Sequence, residues 1–326
     1  MELFMASDWV EEEGKNADFG DQRLSKRFKR LLSDLYDLSR NSIPAACGGW
    51  NETLAAYRFF DHKKVTIKRV LSPNYEATLK RIEAAGVVLI AQDTTHLIRE
   101  KIKQTELIRG IRATEKIKTF LHASVAFTPA RTCLGVVSAE HWERKDKKDA
   151  VQQAMKPIEE KESVRWLEGY GAACAVQGLC PQTLVVSVSD RESDIHELYV
   201  EAQSYASPTR AGWIVRSKHD RQVEGKSTLR LRAYLEKTAV QGHTEFTLPA
   251  SGNRPSRQVK QSLQAGLVPL KAVSHHNKVL EGTTIHAILV KELSAPEGEK
   301  AIEWLLLTNL PIDTPEQIET IIQWYR

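Results

Sequence analysis

The sequence predicts an α/β protein with a small all-helical region in front and a β-rich stretch inserted late in the chain. Three observations carry that prediction. Roughly the first 70 residues repeat apolar positions at helical spacing, with Leu24, Phe28, Leu31, Leu32 and Leu35 the clearest series. Two short runs, Val87 to Asp93 and Thr183 to Asp190, have the nearly continuous apolar character of strands buried on both faces, and each ends in an acid. Residues 219 to 300 alternate at the strand period in short bursts. Gly242, Gly252, Gly266, Gly282, Pro249, Pro255 and Pro269 punctuate them.

In chain order, Asp18 or Asp21 is placed to cap the helix through Leu24 to Leu35, on which Lys26, Arg27, Lys29 and Arg30 face water. Ser42-Ile43-Pro44 and Gly48-Gly49 interrupt the pattern. A second helix carries Leu54, Ala55, Tyr57, Arg58 and Phe59, and a third is predicted over Ile67 to Leu79 with a break near Pro73. Trp9, Trp50, Tyr57 and Phe59 are expected in the core. The helical domain is therefore set at 1–75 and the α/β core at 76–326, with the insertion at 219–300.

In the core, His122 to Thr128 and Cys133 to Glu140 read as a hairpin across Pro129-Ala130-Arg131. The charged stretch from His141 to Lys161 reads as a surface excursion. A helix is predicted over Val164 to Gln177 and another through Ile195, Leu198 and Tyr199. Further strands are expected at Trp213 to Lys218 and Trp304 to Thr308, and Pro315 starts a helix carrying Ile318, Ile321, Ile322 and Tyr325.

Composition narrows the function classes. The chain has 326 residues, 41% hydrophobic and 27% charged, which fits neither a disordered tail nor a membrane protein. The apolar run Gly86 to Ala91 falls far short of the roughly 20 residues that span a bilayer. Asp8 and Glu11 to Glu13 sit where the apolar core of a signal peptide would lie. Cys47, Cys133, Cys174 and Cys180 show no C-x-x-C spacing and are expected as buried or half-buried thiols in a reducing cytoplasm. The net charge of +4 is unevenly spread. Residues 22 to 72 carry eleven Lys/Arg against four Asp/Glu, and residues 216 to 278 carry twelve against four. Two basic blocks suit a polyanion crossing more than one domain, although a basic metabolic enzyme would look similar.

Asp93 and Asp190 stand where open α/β sheets bind ligands, beyond the carboxyl ends of strands. If the two strands are neighbours, the carboxylates share one crevice and can hold Mg²⁺ or Mn²⁺ for phosphoryl transfer. The alternative is that each acid caps the next helical turn, as Asp93-Thr94-Thr95 and Asp190-Arg191-Glu192 would allow. His96 and His196 lie near enough in sequence to meet a substrate. No phosphate-gripping glycine loop, nucleophile elbow or dinucleotide fingerprint competes.

At these residues the chain resembles the cut-and-paste DNA transposases of the insertion-sequence-4 type, the group that includes the transposase of transposon 5. The matching pieces span essentially the whole chain. They are Ala6-Ser7-Asp8-Trp9, Phe19-Gly20-Asp21-x-Arg23, Ala56 to Phe60, Gln92-Asp93-Thr94-Thr95, Asp190-Arg191-Glu192-x-Asp194-Ile195-His196, Val215 to His219, and Glu303 to Thr308. The resemblance implies a ribonuclease-H-like catalytic core with a β-rich insertion, preceded by a helical domain that binds double-stranded transposon ends. It implies that Asp93 and Asp190 are catalytic metal ligands, two of an Asp-Asp-Glu triad holding Mg²⁺ or Mn²⁺. The expected steps are nicking, hairpin formation and strand transfer in a bacterial, nucleoid-associated protein.

Tyr325 matches the tyrosine of the family's last motif, whose arginine and glutamate would stand beyond Arg326. Glu316 and Glu319 precede Tyr325 and are not promoted to that role. The expectation is thus a transposase fragment with little activity by itself, and a monomer, because the family's dimerisation region would also lie beyond Arg326.

The resemblance makes Arg23, Lys26, Arg27, Arg30, Arg216, Lys218, His219, Trp304 and Tyr325 candidate DNA contacts. Plainer readings stand beside them: solubility for the first four, a solvated edge for Arg216 to His219, and core packing for Trp304. The basic run Arg99, Lys101, Lys103, Arg109, Arg112, Lys116 and Lys118 suits DNA near the site or a solvated loop, and His275-His276 has no partner at ligand spacing. The competing functions are a ribonuclease-H-like nuclease, a catalytically dead protein that occupies transposon ends, and a relic without function.

Overall fold

The computed structural model describes residues 6–102, 114–143, 156–225, 229–252, 255–275 and 278–326. The front of the chain is helical: α1 Ala6–Gly14, α2 Gln22–Asp37, α3 Ile43–Ala46, α4 Trp50–Phe60 and α5 Ile67–Glu83. Asp21 caps α2, its side chain accepting the Arg23 N–H at 2.9 Å. Phe19, Phe28, Leu31, Ala56 and Phe59 form a small core of their own. The apolar spacing of α2 and α4 therefore did what amphipathic helices do: each buried one stripe and left its charges outside.

Two expectations fail here. Pro73 does not break the third helix; α5 is continuous through it to Glu83, so residue 75 lies inside a helix. Packing on both sides carries the chain past the missing N–H. Pro73 is buried, Asn74 donates to Glu13 of α1 at 2.7 Å, and its oxygen accepts the Val136 N–H at 3.2 Å. Trp50 and Tyr57 are not core residues either, being 78% and 46% exposed. Both lie off the Ala56–Phe59 stripe of α4, which fills the available core.

The rest is one mixed sheet with helices on both faces. Its strands are β1 Val87–Ile102, β2 Thr114–Phe127, β3 Cys133–Glu143, β4 Leu184–Ser189, β5 Gly212–Arg216, β6 Gly242–Leu248, β7 Arg257–Leu270, β10 Thr283–Glu292 and β11 Glu303–Thr308, with a separate ribbon of β8 Val273–His275 and β9 Lys278–Leu280. The order is β3-β2-β1-β4-β5-β11-β10-β7-β6. β1, β4 and β5 run parallel, and β2 and β3 lie antiparallel beyond β1. That first half is a ribonuclease-H-like sheet. The β-rich insertion does not stand apart from it: β11 pairs with β5, and β10, β7 and β6 continue the same sheet antiparallel.

Two apolar layers sandwich this sheet. On one face α5, α6 (Val164–Leu179), α7 (His196–Ser204) and α8 (Leu231–Leu235) bring Ile82, Tyr170, Leu198, Tyr199 and Leu231 onto Val88, Ile90, Val185 and Val215. On the other, α9 (Pro315–Tyr325) lays Ile318, Ile321 and Ile322 on Val186, Val188, Ile214 and Leu306. Thr314 and Gln317 close a capping box at the start of α9, which stabilises such a terminus by about 1 kcal/mol.

β1 is longer than its apolar run suggested. Asp93 is paired with Ala123 and the β1–β2 ladder continues to Ile102 with Thr114, so Lys116 and Lys118 lie on a strand rather than a loop. Residues 103–113 and most of the charged excursion, 144–155, lie outside the described residues, and so does His276. Ile158–Glu160 forms a single 3₁₀ turn. Cys47, Cys174 and Cys180 are buried free thiols, whereas Cys133 is exposed. No helix among the described residues is long and apolar enough to cross a membrane.

Candidate nucleic-acid interface and carboxylate edge

Sheet register brings the two acids together. The parallel β1–β4 ladder ends with Gln92 opposite Ser189, and the next residue on each strand is Asp93 or Asp190. Asp93 is thus not at a strand end; it is where β1 parts from β4 while staying paired to β2. Both acids follow Leu89, Val186 and Val188 in the alternation, which puts them on the α9 face, and both are exposed. Neighbouring strands lie about 4.8 Å apart, so the backbones of Asp93 and Asp190 are neighbours at this edge.

Asp190 also performs the plainer task weighed for it, since its Oδ1 accepts the Glu192 N–H at 2.8 Å and caps a 3₁₀ turn. Capping uses one oxygen and leaves the other. Asp93 makes no such bond among the described residues.

The row continues onto the next strand. Ser189 pairs with Val215, so Arg216 follows Asp190 as Asp190 follows Asp93. Arg216 keeps a buried Nε–H without a hydrogen-bond partner among the described residues. The last turn of α9 sets Tyr325 beside it. Burial pushes the Tyr325 phenol up, while the Arg216 guanidinium opposes that and the Asp190 carboxylate adds to it. Trp304 lies on the same face, stacked on Phe246 with ring centroids 5.9 Å apart and edge-on to Tyr325 at 6.3 Å. The Arg326 guanidinium lies 4.4 Å from the Phe246 centroid and 5.3 Å from that of Trp304. One row and its rim therefore collect Asp93, Asp190, Arg216, Tyr325 and Trp304.

Lys218 and His219 are positioned by a residue whose task sequence reasoning missed. Asp194 has a fully buried side chain, and its Oδ2 accepts the N–H of Lys218 at 2.6 Å, the N–H of His219 at 2.8 Å and the Ser217 hydroxyl at 3.1 Å. Tyr199 donates to Oδ1 at 2.5 Å and Arg221 forms an ion pair with it. Burial, then the Asp194 charge, holds the Tyr199 phenol protonated. The Asp190-to-His196 and Val215-to-His219 motifs are two sides of this one knot. It leaves the side chains of Lys218 and His219 exposed beside the carboxylate edge. The only trace in sequence was the second aspartate of the first motif.

A second buried network holds Asp93 from behind. Gln92 and Thr94 point away from the α9 face. Gln92 donates to the Ser187 hydroxyl at 2.7 Å, and His122 meets Thr94 Oγ1 at 2.9 Å and Gln92 Oε1 at 3.3 Å. The His122 ring packs edge-on to Trp166 at 4.6 Å. Helix α6 approaches so closely that a Cβ on Gly169 would fall 2.1 Å from Gln92 Oε1. Burial, with Arg165 adding to it and Asp93 opposing, lowers the His122 pKa to about 4. His122 is thus neutral in the native protein near pH 7. Because the native pKa lies below the unfolded value near 6.5, this neutral state supports stability above pH 6.5 and the support is lost as pH falls towards 4. Stability should drop by up to about 3 kcal/mol more over that window in the native chain than in His122→Gln, read by urea titration at each pH. Equal slopes would show that His122 is not buried neutral.

On the helical domain, Arg23, Lys26, Arg27 and Arg30 share one stripe of α2 at i, i+3, i+4 and i+7. They are not equivalent. Arg23 is held by Asp21 at 2.9 Å, and its guanidinium lowers the Asp21 pKa to about 2. Arg30 is only loosely paired with Asp34 at 3.9 Å. Lys26 and Arg27 form no ion pair among the described residues.

As for metals, no three His, Cys, Asp or Glu side chains gather as ligands among the described residues. Mg²⁺ is commonly held by one or two carboxylates plus phosphate oxygens and water, and the Asp93–Asp190 pair fits one such ion. Arg216, next in the row, suits a phosphate oxygen rather than a second cation. His96 packs edge-on to Phe120 at 4.5 Å, and His196 is buried against the Glu281 carbonyl at 2.8 Å, so neither joins the acids as a ligand.

Residues 6–65, α1 through α4, match the family described as Transposase DNA-binding. The NurA nuclease from Sulfolobus solfataricus is similar over 83% of this chain and 85% of that one, at 9% identity and a TM-score of 0.32. Residues 6–65 are thus similar to a transposase DNA-binding domain, and the mixed α/β, β-rich core that follows has the strand order of a ribonuclease-H-like fold.

Proposed function

We propose that this protein occupies duplex transposon ends, gripping the phosphate backbone with α2 and laying the edge of its core against the same duplex. The basic stripe within the residues that match a DNA-binding family carries this reading. Lys26 and Arg27 hold phosphates, Arg30 exchanges its loose partner for one, and Arg216, Lys218 and His219 supply a second set of contacts some way along the strand. Binding is the activity in this reading, and an occupied end is closed to other proteins.

A second reading is metal-assisted cleavage or transfer at a phosphodiester, and the register of Asp93 and Asp190 favours it. A divalent ion held there together with DNA would neutralise charge at the scissile phosphate. Asp93 and Asp190 would be its ligands, Arg216 would hold a non-bridging oxygen, and the network behind Gln92 and Thr94 would fix the spacing. One gel-shift series separates the readings. Binding of labelled duplex ends should persist in EDTA and in the doubly substituted Asp93→Asn, Asp190→Asn protein. A shift that vanishes in EDTA overturns the end-occupying reading. Cleavage in Mg²⁺ or Mn²⁺ that the double substitution abolishes would establish the second.

A further inference from the structure

We infer that Glu13 and Arg81 are positioning residues: they lock the DNA-binding helices to the core, so that α2 and the Arg216-to-His219 edge meet one duplex at a fixed separation. This rests on the end-occupying reading and deepens it, because it explains how two sets of phosphate contacts act together. Two units of one chain that meet through a polar interface ordinarily move relative to each other. Here a shared helix and a buried ion pair oppose that motion.

Helix α5 starts just past the residues that match the DNA-binding family, and it belongs to both units. Near its start, Arg69 donates to the Phe19 carbonyl at 3.0 Å, and Val70 packs on the small core of Phe19, Phe28 and Phe59. Near its end, Ile82 is part of the main core, and the Thr183 hydroxyl donates to the Ala85 carbonyl at 2.8 Å. Between these anchors, both oxygens of buried Glu13 on α1 are engaged by α5. Oε1 pairs with the Arg81 guanidinium at 2.6 Å, and Oε2 accepts from Asn74 at 2.7 Å. The same two α5 side chains reach on to β3, the edge strand of the core. Arg81 Nε–H donates to the Leu134 carbonyl at 2.6 Å, and Asn74 Oδ1 accepts the Val136 N–H at 3.2 Å. Between those contacts Gly135 has φ +137, and a Cβ there would fall 2.0 Å from Thr78 Oγ1, so α5 lies directly on the β3 backbone. One carboxylate of the DNA-binding unit is thus tied through two side chains to two backbone groups of the core. A second binding patch adds most when its connection to the first holds it in place, because that connection sets its effective concentration.

The test uses fluorescence anisotropy of the full chain with two labelled duplexes, one of about one helical turn and one of about three. The native chain should bind the longer duplex more tightly, since only that one spans both patches. Glu13→Gln leaves a single acceptor for Asn74 and Arg81 to share, and Arg81→Lys lacks the fork that holds Glu13 and Leu134 together. Each variant should bind the short duplex as the native chain does and lose roughly ten-fold on the long one. A native-like gain with length in both variants overturns the inference and leaves the end-occupying reading intact. Equal losses on both duplexes also overturn it, because the damage then lies in the DNA-binding unit itself. No gain with length in the native chain overturns the two-patch reading and the inference together. Hydrogen exchange of the native chain adds a check that needs no variant. The Val136 amide donates to Asn74 from an edge strand and should be protected, and rapid exchange there would show an open joint and overturn the inference.

Discussion

Replacing Asp194 with alanine is expected to cost the protein about 3–5 kcal/mol of stability, the usual consequence of leaving a buried partner charge alone. The carboxylate accepts from the Lys218 and His219 backbone, from Ser217 and from Tyr199, and it pairs with Arg221. Removing it takes the ion-pair partner from a guanidinium, which keeps only the Asp194 backbone carbonyl, and leaves the Lys218 and His219 amides and the Tyr199 hydroxyl without their acceptor, while Ser217 keeps the His219 carbonyl. Each unsatisfied buried group adds to the penalty. The melting temperature of the core should fall on the order of 10 °C, since about 2–4 °C accompanies each kcal/mol in a domain of this size. Asp194→Asn restores an acceptor without the charge and should lie between. Hydrogen exchange at the Lys218 and His219 amides is the local readout, and both should lose protection first. A melting temperature within about 2 °C of the native value would mean that the knot is ornamental.

Removing the α2 charges should have the largest effect on binding. The Lys26→Ala, Arg27→Ala, Arg30→Ala protein is expected to bind duplex DNA on the order of 10²-fold more weakly near physiological salt. The slope of log K against log salt should become shallower by up to about 3, close to one unit per lost phosphate contact. Arg23→Ala should do much less, because Asp21 already occupies that guanidinium and the change chiefly loosens the start of α2. The contrast separates contact from general basicity. If all four positions contribute equally, long-range attraction is sufficient and no defined interface exists on this helix.

The sequence was most legible where a pattern repeats. The stripe of α2, the buried runs of β1 and β4 and the Pro315 helix each carry a period that chain geometry turns directly into structure. It was least legible where opposed local and tertiary preferences had to be weighed. Pro73 is a helix breaker by local chemistry, yet α5 runs through it because α1 and β3 hold both sides. Trp50 and Tyr57 look like core by hydrophobicity, yet Phe19, Phe28 and Phe59 already fill the space. The insertion reads as a β-rich stretch, but alternation says nothing about which edge its strands join.

By itself, then, the chain of residues determined most of the helices and the buried strands, the apolar stripe of α2, and that two acids close two buried runs. Those follow from periodicity and side-chain chemistry, which act over a few residues. Only tertiary structure decided that Asp93, Asp190 and Arg216 form one row, that Asp194 ties two distant motifs together, and that His122 is neutral behind the edge. Strand register and burial set these outcomes, and both depend on groups from elsewhere in the chain that local sequence does not contain.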